Sequence, residues 1–120
     1  MTLQDRPAAV ELLEAVAGFL EQDVAPSLDA RLRFHARVAV NVLRILQREW
    51  VLGPGQSERQ RALLAGLLGR DGDLTELWAE LARAIRAGVL DDRRDDVVAA
   101  LREITAQKLA IANPGYTEAT

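Results

Sequence analysis

The sequence predicts an all-α protein, a single-domain bundle of about five helices arranged around one long central helix. Three observations carry this expectation. Apolar residues recur at three- and four-residue steps through most of the chain, and no stretch shows the period-two alternation of a strand. The periodic stretches are separated by Pro, Gly and Asp-Gly clusters of the kind that end or cap helices. With 120 residues and a hydrophobic fraction of 49%, the chain has enough apolar material to line one core, so a single domain over residues 1–120 is expected. Residues 1–5 and 117–120 read as flexible ends.

The first helix is expected to open near Pro7, where a first-turn proline is tolerated, and to gather Ala9, Leu12, Leu13, Val16, Phe19 and Leu20 on one inward face. Glu11 and Glu14 suit the positive end of its dipole. The stretch Asp23 to Ser27, with Pro26 inside it, should break this helix. The second and longest helix is expected from about Leu28 to Val51. Leu32, His35, Val38, Ala39, Val42, Ile45 and Leu46 form its apolar side, and Arg33, Arg37, Asn41, Arg44 and Arg48 form a stripe on the other. Gly53, Pro54 and Gly55 should end it. Ser57 with Gln60 reads as the capping box of a short third helix that buries Leu63, Leu64, Leu67 and Leu68 before Gly69. Asp73 with Glu76 caps a fourth, which carries Leu74, Leu77, Trp78, Leu81 and Ile85 and closes at Gly88. A fifth helix runs from about Asp91 or Asp92 to Ala112, with Val97, Val98, Leu101, Ile104 and Leu109 inward, and stops at Asn113 and Pro114.

Composition excludes several classes of function. There is no cysteine and only one histidine, His35, so neither a thiolate metal site nor a histidine cluster can be assembled, and no metal or cofactor is expected. The absence of cysteine fits a reducing, cytoplasmic setting. The start of the chain lacks the basic and apolar regions of a secretory signal, and no apolar run is long enough to span a bilayer. A formal charge of -3 argues against a nucleic-acid partner. Charge is nevertheless unevenly spread. Residues 7 to 27 carry Glu11, Glu14, Glu21 and Asp23 with no basic residue, whereas residues 28 to 52 carry Arg31, Arg33, Arg37, Arg44 and Arg48 against Asp29 and Glu49. Two neighbouring helices with complementary surfaces explain this pattern, and so does a basic face kept for a partner or a phosphate.

The candidate chemistry is sparse. His35 as a general base would need an orienting acceptor, and a packing or partner-contact role is the simpler reading. Asp91, Asp92, Asp95 and Asp96 read as helix-capping acids rather than cation ligands, and the RDGD loop lacks the spaced oxygens of a calcium loop. The GPGQS stretch has neither the Lys-Ser/Thr pair nor the preceding strand of a phosphate-binding loop. Trp50 and Trp78 sit among aliphatic residues at helical spacing and read as packing anchors, an exposed one being the mark of an interface. The ending KLAIANPGY either folds back, with Tyr116 covering apolar surface, or offers a shape for a partner to grip.

The stretches DRPAAVELLEAV, RLRFHARVAVNVL, LLGRDGDL and KLAIANPGY together resemble a bacterial family of small helical proteins of unknown function (DUF6285-like), over nearly the whole chain. Members of that family are typically encoded beside an aminoglycoside-phosphotransferase-like kinase and an acyl-CoA dehydrogenase-like protein. The resemblance implies a small accessory subunit of a kinase that phosphorylates hydroxyacyl-CoA. It places weight on Arg33, His35, Arg37 and Asn41 in the long helix and on Asn113, Pro114 and Tyr116 at the end, as partner- or ligand-binding residues with no catalytic residue among them. Arg33 and Arg37 suit the phosphates of a CoA moiety, because a guanidinium makes planar bidentate contacts. The alternative reading is a self-associating helical protein that binds a small apolar or acyl ligand. The first reading calls for an apolar patch beside the arginine stripe, the second for an internal apolar cavity.

Overall fold

The computed structural model describes residues 8–118, and all of its regular structure is helical, with no strand among the described residues. Pro7, residues 1–5 and residues 119–120 lie outside the described part. Four helices of more than one turn are present: α1 (Ala9–Gly18), α2 (Ala30–Leu68), α3 (Leu74–Ala87) and α4 (Arg94–Ala112), with a single further turn, α5, over Gly115–Glu118. The chain divides into two compact units, Met1–Leu52 and Gly53–Thr120.

In the first unit, α1 loosens into a π-helical stretch at Phe19–Val24 and a 3-10 turn at Ala25–Ser27, close to the predicted break. Pro26 sits at the start of that 3-10 turn, where its missing N–H is not needed. Leu28 is extended, and Asp29 then caps α2 by accepting a hydrogen bond from the Leu32 N–H at 2.9 Å. The turn's own carbonyls are satisfied from α2. Arg33 Nε donates to the Ala25 carbonyl at 3.2 Å and Arg33 Nη2 to the Leu28 carbonyl at 2.9 Å.

The second unit has the tighter core. Leu64, Leu67, Leu77, Leu81, Leu90, Val97 and Ala100 are buried together, with Leu63, Trp78 and Leu101 among the residues packed around them. Leu64, Leu77 and Leu81 are almost fully buried, each contributing about 1.5–3 kcal/mol of transfer free energy. The helix ends follow the predicted chemistry. Asp73 accepts from the Glu76 N–H at 3.4 Å to begin α3. At its end Gly88 adopts φ 78°, and the Val89 N–H returns to the Ala84 carbonyl at 3.1 Å. Gly69 (φ 72°) ends α2, its own N–H donating to the Ala65 carbonyl at 2.8 Å. Arg93 donates to the Leu67 carbonyl at 3.2 Å, covering an acceptor that the end of α2 leaves open.

The main departure from expectation is that the predicted second and third helices are one. Gly53, Pro54 and Gly55 lie inside α2, Ser57 caps nothing, and the number of helices falls from five to four. An interior proline costs about 3 kcal/mol through its absent N–H and its clash with the carbonyl four residues back. Here the helix is pinned on either side of it. Before the proline, Gln47 donates to the Val10 carbonyl and to Glu14. Beyond it, Gln56 donates to the Gln107 carbonyl at 2.9 Å, Arg59 grips Glu103, and Leu64 and Leu67 enter the core. Neither Gly53 nor Gly55 takes the positive φ that would terminate the helix.

Two measurements follow from this architecture. Gly55 has open space where a Cβ would stand, so Gly55→Ala should raise stability by about 0.5–1 kcal/mol and Pro54→Ala by about 1–3 kcal/mol in urea denaturation. A loss in both variants would show that the helix is broken there in solution. The Arg59 hydrogen bond, aided by the guanidinium charge and opposed by burial, holds the Glu103 carboxyl below its ordinary value of 4.5. A depressed carboxylate lends stability above that ordinary value and loses it as pH falls through the lower folded one. Glu103→Gln should therefore flatten the acid side of the stability-pH curve below about pH 4.5, measured by denaturation at stepped pH.

Candidate interaction surface

The first unit is a helical hairpin whose seam is polar on one side. Arg44 of α2 pairs with Glu14 and, at 3.5 Å, with Glu21, and Gln47 donates to Glu14 at 2.9 Å. The acidic first helix and the basic stripe of the second thus meet as complementary surfaces. In this unit the small residue Ala17 is fully buried, and Ala25 and Val40 are buried as well.

This arrangement turns α2 the opposite way from the expectation. The side carrying Arg33, Val40, Arg44 and Gln47 faces α1, and the side expected to be buried faces outward. Leu32, Val38, Val42 and Leu46 are exposed, as are Leu12, Val16 and Phe19 of α1. The physical reason is that α1 offers α2 carboxylates and an alanine, so arginines and a glutamine find better partners there than aliphatic side chains would. Trp50, read as a packing anchor, is 63% exposed, as is Phe34, whereas Trp78 does pack on the core, with Lys108 Nζ 5.9 Å from its ring centroid.

The residues singled out from the sequence are dispersed. Arg33 and Arg37 share a concavity of about 570 Å³ with Glu21, Ala25, Pro26 and Val40. Arg33 is engaged there by the turn carbonyls, while Arg37 is exposed. His35 is exposed on the outward side, its ring edge-on to Phe34 at 5.7 Å, and Asn41 is exposed as well. Asn113, Pro114 and Tyr116 belong to the second unit. Asn113 ends α4, the Tyr116 N–H donates to its carbonyl at 3.0 Å, and the Tyr116 side chain is exposed rather than folded over apolar surface. Among the described residues no group of three or more histidine and carboxylate side chains could hold a metal ion, and no helix is long and apolar enough to cross a membrane. Asp96 is occupied by Arg93, and Asp71 by Arg61.

A second apolar surface lies along α4. Val98, Leu101, Thr105, Ala106 and Leu109 line a groove of about 370 Å³ with Arg102 at its side, and Val98 and Leu101 also line an adjoining one of about 550 Å³ with Ile85 and Arg94. Val98 and Leu101 were expected to point inward. They do so only in part, since Leu101 packs on the core and Val98 is 37% exposed. The carbonyl-capping roles of Arg33 and Arg93 were not legible beforehand, because nothing in local spacing distinguishes them from other helical arginines.

The described residues thus form an all-helical protein with exposed apolar side chains along its helices. It belongs to the family described as a domain of unknown function (DUF6285), which matches residues 26–116. No curated protein and no solved structure matches the chain.

The two neighbouring arginines can be told apart by stability. Arg33→Ala should cost about 1–2 kcal/mol by removing hydrogen bonds to two part-buried carbonyls, while Arg37→Ala should stay within about 0.5 kcal/mol of the parent. Equal losses measured by chemical denaturation would contradict the assignment.

Proposed function

We propose that this protein is a non-catalytic accessory subunit that binds a phosphotransferase-fold kinase acting on hydroxyacyl-CoA in hydroxy-acid and fatty-acid catabolism. An acyl-CoA dehydrogenase-like protein acts on the kinase's product. The resemblance noted in the sequence supports this reading, because it implies a setting beside such enzymes. The observation that carries it is the apolar surface left open on a small protein: large side chains such as Phe34, Trp50 and Val98 stand in solvent, where each forgoes the free energy of burial.

In this reading the α4 groove receives the kinase. Its apolar floor of Val98, Leu101 and Leu109 is bordered by Arg94, Arg102 and Asp91, a composition suited to an apolar segment with charged groups at its edges. Arg37, exposed and close to Arg33, is the guanidinium best placed to reach a phosphate of the CoA moiety.

Co-expression with the adjacent kinase, followed by size-exclusion chromatography and a hydroxyacyl-CoA phosphorylation assay with and without this chain, tests the proposal. Co-elution and a raised rate are expected. Val98→Asp with Arg102→Glu should weaken the complex at least tenfold, at unchanged helical content by circular dichroism. Separate elution together with an unchanged phosphorylation rate would sink it.

A further inference from the structure

We infer that the outward apolar face of the first unit is covered by a second copy of this chain, with the two α2 helices packed antiparallel about a two-fold axis near residue 40. The inference stands on the pattern of that face and does not rest on the kinase reading.

At 100° per residue, Arg31, Phe34, Val38, Val42, Leu46 and Glu49 fall within an arc of about 120° on α2. All six are exposed. The two charges lie at the ends of the stripe, and the step of about 18 residues from one to the other makes five full turns, so they share one azimuth about 27 Å apart along the axis. Neither takes part in an ion pair with a described residue.

Such a stripe is complementary to itself reversed. With the axis at residue 40, Arg31 of one copy lies opposite Glu49 of the other, Phe34 opposite Leu46, and Val38 opposite Val42. Both charged pairs and the three apolar positions on each copy are thus satisfied by one symmetry operation, with exposed His35 in the same arc beside Phe34, and such matching is the requirement for an isologous interface. A parallel arrangement would set Arg31 against Arg31. A foreign partner would have no need for charges spaced symmetrically about the centre.

The exposed Leu12, Val16 and Phe19 of α1 lie on the side of that helix opposite its seam with α2, so the interface is built from the α2 stripe itself. The hairpin also needs the cover. Among the described residues it buries only Ala17, Ala25 and Val40 of its own apolar side chains, and a second α2 would cover the outward stripe.

Sedimentation equilibrium of the purified full-length chain is the test. A dimer with a micromolar or tighter dissociation constant is expected, and Arg31→Glu or Glu49→Arg alone should weaken it about tenfold or more by setting like charges against each other. Combined in one chain, the two substitutions should restore the dimer. Mixing the two single variants should yield a heterodimer in preference to either homodimer. Circular dichroism controls for folding, which exposed positions leave intact. A monomer at about 100 μM, or a dimer indifferent to the single substitutions, or one that the double substitution fails to restore, would overturn the inference. Since the kinase test uses Val98 and Arg102 and requires the enzyme, either proposal can fail while the other survives.

Discussion

The first unit depends on the polar seam between α1 and α2. Glu14 and Glu21 claim Arg44, Glu14 and the Val10 carbonyl claim Gln47, and these bonds fix which side of the long helix turns inward. Exposed ion pairs are weak, usually worth about 0–1 kcal/mol each, so the seam orients the hairpin more than it stabilises it. Arg33, tied to the carbonyls of the connecting turn, adds a covering of backbone acceptors that would otherwise compete for water. The result is a hairpin that is well specified and thinly packed. The second unit has the opposite character: seven core residues close around one another, and its arginines decorate the rim.

Much of this was written locally in the chain. Asp73 before α3, Gly88 and Gly69 at helix ends, and Asn113 after α4 act through backbone chemistry that needs no tertiary knowledge, and the structure keeps each of them. The leucines of α3 and the end of α2 were legible for the same reason, since their spacing admits only one face. Two things were not local. Gly53-Pro54-Gly55 carries every sign of a helix stop, yet bonds made by Gln47, Gln56 and Arg59 outweigh it, and those partners lie 33 to 51 residues away in sequence. The second is the rotation of α2. Periodicity reveals that a helix has an apolar side but is silent on whether the fold or some other molecule covers it, and here the acidic composition of α1 decides the matter. The complementary charge of the two windows, noted from composition alone, was the clue that pointed the right way.

Of the candidate residues on α2, the structure shows how two are placed. Arg33 stands out in the structure as a turn-closing residue, and His35 as a neighbour of Phe34 on an open face. Their proximity in sequence does not bring them together in space, because a two-residue step on a helix separates side chains by more than half a turn. The exposed apolar surface is distributed, with the hairpin face and the α4 groove in separate units and with different charged borders.

The two tryptophans sit one in each unit and in opposite surroundings: Trp78 against the core beneath Lys108, Trp50 bare on the hairpin. An indole in water emits at longer wavelength than one among leucines, so the intrinsic fluorescence of this chain contains two separable colours. The blue component follows the integrity of the second unit, and the red one reports whether anything has settled on the first. The protein carries its own optical probe for occupancy of its most open surface, with no label required.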